Sequence, residues 1–345
     1  MSDDRAAGGS APSEFQDRPP FRGDDTLACP LTGEPLLFRG DAFVTPSGRS
    51  YAFDDGILRT FVEADGSVNA ATGTVQSFYE DSPFPNYNDF DTVESFVASA
   101  DRGIFARMLR EQIEPGSTIL EVGCGTAQLS NYLAATTLAR VYAADMTLAS
   151  LKLGAGFARR NRLSRVRFAQ MNLFRPCIRP GSVDVLISNG VLHHTADTKA
   201  ALLSIAPLVR KGGYILIGLY NSIGRLRTDF RRVLYKVGGE WTLGLDPHLR
   251  NSLSPEKRRA WIRDQYLHPV ERKHSMNEVL QWFGEAGIDF VSSIPSIVGE
   301  FSAKTRLFEN ASPGTSSDRR MAELSMLFST YGGEGGLFIM IGRKT

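Results

Sequence analysis

The stretch Thr118-Ile119-Leu120-Glu121-Val122-Gly123-Cys124-Gly125-Thr126-Ala127-Gln128 constrains this chain more than any other. Its first half is a short apolar run of the kind a parallel strand shows when both faces are buried. Two glycines one residue apart end the run, and an amphipathic segment with Leu129 and Leu133 follows. Strand, tight turn and helix N-terminus in that order begin a βα unit, and a turn without side chains lets the backbone approach a ligand closely. The third glycine of the dinucleotide fingerprint G-x-G-x-x-G is absent, because Gln128 stands there. Asp145 follows Gly125 by twenty residues and closes the next apolar run, Val141-Tyr142-Ala143-Ala144. An acidic residue at that place can hydrogen-bond ribose hydroxyls.

These residues resemble the class I S-adenosylmethionine (SAM)-dependent methyltransferases, whose first motif is seen here as Leu120-Glu121-Val122-Gly123-Cys124-Gly125-Thr126. SAM has no pyrophosphate, so the third glycine is dispensable, and acidic Glu121 repels a phosphate but tolerates a cationic methionine end. The resemblance implies SAM as cofactor, held by Glu121, Gly123, Gly125, Thr126, Asp145 and Met146. It also implies adenine beside Asn172 and Leu173, where the family often carries Asp and where the Asn172 carbonyl keeps an acceptor oxygen.

Beyond the first unit the pattern alternates strand and helix, as a doubly wound α/β sheet does. Strands are expected at Thr118–Val122, Val141–Ala144, Val166–Gln170, Val183–Ser188 and Tyr214–Leu219, with helices from Thr147 to Arg160 and from Asp197 to Val209 between them. Lys211-Gly212-Gly213 reads as the turn into the fifth strand. Ser275 caps a helix from Met276 to Ala286, Ile288–Val291 is the sixth strand, and Leu337–Gly342 is the seventh, the antiparallel edge that the family implies. The expected fold is thus a mostly parallel, seven-stranded, Rossmann-like sheet.

The fourth strand runs into Asn189-Gly190-Val191-Leu192-His193-His194. This resembles the fourth motif of small-molecule methyltransferases, including those of ubiquinone and menaquinone biosynthesis, which implies Asn189 at the cofactor. Asn-Pro-Pro-Tyr, which amino-methylases of DNA bases carry there, is absent. His193 and His194 sit where ligands bind in open α/β sheets, and one of them can serve as a general base near neutral pH. Tyr220 ends the fifth strand beside the expected substrate cleft.

Residues 1–25, rich in Gly, Pro, Ser and charge, read as a disordered tail. A small β-rich module is expected over 26–75, whose end, Tyr51-Ala52-Phe53-Asp54-Asp55-Gly56-Ile57-Leu58, resembles zinc-ribbon-like modules that accompany some methyltransferases. Only Cys29 stands near a ligand position, so no metal is expected. Residues 76–116 read as a lid and an N-terminal helix. The lid, Ser77-Phe78-Tyr79-Glu80-Asp81-Ser82-Pro83-Phe84-Pro85-Asn86-Tyr87, resembles a signature of uncharacterised bacterial methyltransferases, and Tyr79 and Tyr87 have polar tips able to reach a ligand. A helix from Thr92 to Ile113 follows. The methyltransferase domain, 117–345, carries inserts at 222–275 and 295–335. From Arg225 to Lys273 there are twelve Lys/Arg against six Asp/Glu, read as a solvated basic face or a dock for an anionic substrate. His268, Glu271 and His274 lack an i, i+4 histidine pair and are not expected to hold metal.

Composition narrows the partners. A net charge of +1 over 345 residues disfavours a protein built mainly to hold nucleic acid. Three separated cysteines encode neither a disulfide framework nor a zinc site, and a cytoplasmic setting is the expectation. No run reaches the ~18 apolar residues of a membrane span and no signal peptide is readable, so no membrane partner is expected. Methyl transfer to an oxygen or carbon of a small metabolite is the leading reading. An rRNA or tRNA methyltransferase and a non-catalytic SAM-binding subunit are the alternatives.

Overall fold

The computed structural model describes residues 21, 25–64, 67–80, 83, 87, 92–246, 249, 255–267, 271–328 and 335–345. Most of the expected tail, and His268, lie outside the described residues. Phe21 lies inside that tail, yet its ring packs edge-on to Tyr142, 5.6 Å between centroids, beneath the Arg167 guanidinium.

Five strands form the parallel core: β5 (Thr118–Val122), β6 (Arg140–Asp145), β7 (Val166–Gln170), β8 (Val183–Asn189) and β9 (Val209–Tyr220). Helices α4 (Gln128–Thr136), α5 (Leu148–Arg160) and α6 (Thr198–Ile205) connect them. Every residue of β5 is buried, which is why its sequence is continuous rather than alternating. β10 (Ile288–Ile294) and β11 (Leu337–Lys344) complete the far side, and the sheet order is β7-β6-β5-β8-β9-β11-β10. The strand order reverses beside β5, between β5 and β8, and the carboxyl ends of strands at such a switch point are where ligands bind in open α/β sheets.

Three expectations change in detail. β11 is antiparallel to both β9 and β10, so the last strand lies inside the sheet and β10 is the edge. Gly212 and Gly213 lie within β9, where Gly212 has φ +77° and a Cβ on Gly213 would meet the Asp184 carbonyl at 2.8 Å. The long N-terminal helix is two, α2 (Val93–Ala100) and α3 (Ile104–Gln112), broken at Asp101-Arg102-Gly103. Asp101 accepts from both Tyr132 and Arg110, and those bonds fix the break.

The N-terminal strands β1 (Leu37–Arg39), β2 (Ala42–Val44), β3 (Ser50–Asp54) and β4 (Ile57–Arg59) are not a detached module. β4 pairs in parallel with β7, so one sheet of eleven strands runs through the molecule. Leu27, Cys29, Leu36 and Phe43 share a core with Leu120 and Tyr142. The Cys29 thiol lies 3.0 Å from the Tyr51 hydroxyl. Helix α1 (Ser67–Glu80) begins inside the expected module and takes in Tyr79 and Glu80, which the sequence places in a lid.

The insert after β9 forms α7 (Leu226–Gly238), a 3-10 turn (Gly239–Leu245) and α8 (Pro255–Leu267). It is followed by α9 (Met276–Glu285), capped reciprocally by Ser275 and Glu278, and by α10 (Ser316–Ser325).

Candidate active site

The turn after β5 is built for close approach. Gly123 has φ +73° and Gly125 φ +53°, conformations that side chains disfavour. A Cβ on Gly123 would stand 2.4 Å from Val191, so the loops after β5 and β8 touch only because this residue has no side chain. The amides of Gly123 and Cys124 donate to the Ala144 carbonyl at 2.8 and 3.1 Å. Asp145 locks the other side: one carboxylate oxygen accepts from Gly125 N–H and the other from Thr147 N–H, both at 2.8 Å. Each oxygen retains a lone pair for a ligand.

A second layer supports the turn from behind, and two expected cofactor contacts belong to it. Thr126 is fully buried and outside the cleft wall; its carbonyl accepts from the Tyr87 hydroxyl at 2.8 Å. Tyr87 also accepts from Asn131 Nδ2 at 2.8 Å and stacks on Phe157 at 4.3 Å. Its ring is thus an anchor for the loop rather than a lid over a ligand. Gly154 was not foreseen, and it lets α5 reach the same carbonyl, where a Cβ would sit 2.5 Å from it.

The crevice at the strand ends is a cavity of about 620 Å³, within the range of ordinary small-molecule sites. Glu121, Gly123, Gly125, Asp145 and Met146 line it, as do Asn172, Leu173 and Asn189. Tyr79 of α1 joins the wall too, half-buried. The sequence missed Glu80, whose carboxylate accepts the Leu148 and Ala149 amides at 2.7 and 3.1 Å and so ties α1 to the start of α5. It also missed the apolar side made by Ile104, Phe105, Leu337 and Ile339, which come from elements distant in the chain.

Two asparagines differ in what they have left to offer. Asn172 donates to the Val62 carbonyl at 2.9 Å and accepts from Phe174 N–H at 3.0 Å, so most of its capacity holds the N-terminal segment on the sheet. Asn189 Oδ1 is buried in the cleft with no hydrogen-bond partner among the described residues. Gly218 makes room for it, since a Cβ there would lie 1.8 Å from that oxygen. A buried unpaired acceptor is costly and calls for a donor.

Glu121 supplies the negative end. Burial pushes its carboxyl up to about 7, against two hydrogen bonds from Ser130 and with a smaller push from Asp145. Burial likewise raises Asp145, opposed by its bonds to Thr147 and Gly125. The cleft therefore presents carboxyls that gain from a cation, while Asn189 waits for a donor. An ammonium and a sulfonium on one ligand, with ribose hydroxyls, satisfy that set, so the residues fit SAM. Because the folded Glu121 binds a proton more readily than an ordinary glutamate, a cation must displace that proton below about pH 7. SAM affinity should rise up to about tenfold per pH unit towards about pH 7 and level above it, flattening in Glu121→Gln. Calorimetric affinities that are level from about pH 5 to about pH 8 in the wild type would refute the coupling.

Another part of the wall is formed by a 3-10 turn, Leu192–His194, and the last residue of β9. His194 and Tyr220 line the cavity, their rings edge to face at 6.1 Å. His193 is fully buried behind them, 4.1 Å from the Tyr220 ring and 4.2 Å from the His194 ring. His193 is thus removed from the wall, and the pair of candidates narrows to His194. Tyr220 is itself held: the Arg225 guanidinium lies 3.7 Å over its ring, and its hydroxyl accepts from Gln265 Nε2 at 3.1 Å.

Asp145→Ala should remove charge-assisted bonds worth on the order of 1.5–3 kcal/mol, about tenfold or more in SAM affinity. Equal calorimetric affinity in wild type and variant would show that Asp145 only braces the turn.

Residues 113–271 match the family model of a methyltransferase domain. An uncharacterised protein of Synechococcus is 28% identical over 197 residues, covering 50% of this chain and 47% of its own. A ubiquinone biosynthesis O-methyltransferase of Xanthomonas campestris is 28% identical over 157 residues, 44% of this chain and 63% of that one. Its counterpart in Caulobacter vibrioides is 30% identical over 176 residues, 49% and 65%. The chain thus spans less than two thirds of the length of these relatives. Among solved structures, PKMT2 of Rickettsia typhi superposes with a TM-score of 0.51 at 12% identity, covering 70% of this chain and 52% of that one, a likeness of fold. With the glycine turn, Asp145 and the strand order in place, residues 113–271 form a SAM-dependent methyltransferase domain.

Proposed function

We propose that this protein transfers the methyl group of SAM to an oxygen or carbon of a small, largely apolar metabolite. The observation that carries this reading is one cavity with the Gly123–Asp145 cradle on one side and His194 and Tyr220 on another. Bound SAM supplies a sulfonium methyl, an electrophile that needs no further activation. The chain's task is then to hold the acceptor in line, exclude water and take up a proton where the acceptor must lose one. His194 is the proposed base: a ring nitrogen takes the hydroxyl or acidic C–H proton as the new bond to the methyl forms. Tyr220, braced by Arg225 and Gln265, is proposed to orient the acceptor. Ile104, Phe105, Leu337 and Ile339 favour an acceptor with apolar surface.

The ubiquinone biosynthesis O-methyltransferases among the relatives support this acceptor class. Incubating the purified protein with methyl-labelled SAM and fractionated cell extract tests it. Label should enter the small-molecule fraction; label in RNA or protein instead would overturn the acceptor, and no transfer despite SAM binding would overturn the activity.

A further inference from the structure

The insert after β9 packs a small apolar core around Leu243, Leu249 and Tyr266, yet α7 also shows an apolar stripe to solvent. A surface helix of a globular protein ordinarily buries its apolar stripe and shows its charges to water. Around α7 several charges are internal instead: Arg225, just before the helix, is fully buried, Arg232 pairs with Glu271 at 2.6 Å, and Asp229 pairs with Lys273. Four of the twelve cations of the insert, Arg225, Arg231, Arg232 and Lys273, are thus spent on internal pairs. Leu226, Phe230, Val233 and Val237, spaced by four, three and four residues, share the outward face, and Trp241 follows in the 3-10 turn. These five side chains are between 54% and 86% exposed.

Two cations frame the stripe. At 3.6 residues per turn, Arg227 and Lys236 stand about 90° to either side of it. Both are exposed. Arg227 donates to the Leu327 carbonyl at 2.9 Å, which brings the chain at Phe328, itself 87% exposed, to the start of the stripe. An apolar stripe with a tryptophan at one end and flanking cations has the chemistry of a helix lying in a bilayer interface. Its apolar side chains would enter the acyl boundary while the cations meet headgroup phosphates. A second copy of the chain fits less well, because face-to-face stripes would set these cations against cations.

We propose that α7 and the turn after it dock flat on an anionic lipid surface. Such docking needs no membrane span, and among the described residues no helix is long and apolar enough to cross a membrane. α7 leaves the sheet just after Tyr220, a wall residue of the cleft, and Gly224 abuts Gly336 next to Leu337, another. Resting on the methyl-transfer reading, this places the cleft where an acceptor dissolved in the bilayer can reach it.

The test is co-sedimentation of the full chain with phosphatidylglycerol–phosphatidylcholine vesicles against pure phosphatidylcholine, with tryptophan emission followed in parallel. Binding to the anionic vesicles, a blue shift and weakening by salt are expected. Phe230→Ser/Val237→Ser/Trp241→Ser and, separately, Arg227→Glu/Lys236→Glu should each weaken vesicle binding by about tenfold or more. Both variants should keep the thermal midpoint and the SAM affinity of the wild type. Failure of the folded wild type to bind anionic vesicles, or unaltered binding in both folded variants, would overturn the proposal. So would a dimer in gel filtration that the triple variant dissociates. SAM affinity by calorimetry is read separately, so loss of docking and failure of the methyltransferase reading are told apart.

Discussion

His194→Ala should lower turnover by about 10²–10⁴-fold while leaving SAM affinity nearly unchanged. The expectation follows from position. His194 stands after β8 in the wall of the cavity that the Gly123–Gly125 turn also lines, whereas His193 is buried behind it against Tyr220. Only a ring in the wall can reach an acceptor proton. His193→Ala should therefore act through Tyr220, changing KM and stability more than the pH profile. His194→Ala should remove the limb of the rate–pH profile that reports the base. Full activity in His194→Ala and in the double variant, once an acceptor is in hand, would leave methyl transfer to positioning alone.

The parts of this site that were legible in the sequence are those whose chemistry is local. A buried strand followed by Gly123 and Gly125 announces itself, because strand burial and a side-chain-free turn each leave a mark within a few residues. Asp145 is found by the same logic, as a polar residue closing an apolar run, and Asn189 through the resemblance that the end of the fourth strand bears to a methyltransferase motif. Helix α1 was hidden because Ser67–Glu80 holds Gly73 and several Ser, Thr and Asn residues and shows no helical stripe; its end is held by Glu80 against α5. The role of Tyr87 is not legible locally, because an aromatic in that stretch can face in or out, and Asn131 and Phe157 decide that from across the fold. Gly218 was a signal left unused, since a glycine inside a strand marks close approach, here of Asn189. The insert was legible as an amphipathic helix, but which side it buries is set by Glu271, 46 residues from Arg225.

That same carboxylate carries the largest expected loss of stability. Glu271→Ala should cost about 3–5 kcal/mol, because it strands buried positive charge. Both Glu271 oxygens are engaged: Arg225 approaches them at 2.8 and 3.4 Å, and Arg232 at 2.6 and 2.8 Å. Arg225 is 0% exposed, so water cannot replace the lost partner, and the Gln265 and Gly335 oxygens at 2.8 and 3.3 Å supply no full charge. Burial alone would raise the Glu271 carboxyl; the hydrogen bonds and charges of Arg232 and Arg225 outweigh it and hold the group down at about 2. A carboxylate held lower in the folded state than in the unfolded chain stabilises the fold above its ordinary value of 4.5, and that contribution fades as pH falls towards about 2. The wild type should accordingly lose stability on acidification through this window by an amount that Glu271→Ala does not show. Glu271→Gln keeps the shape but not the charge and should fall between them. Because Arg225 also covers the Tyr220 ring, destabilisation should be accompanied by weaker acceptor binding with SAM affinity retained. A urea-denaturation difference within about 0.5 kcal/mol of wild type, the range of ordinary surface substitutions, would show that the insert is not held by this network.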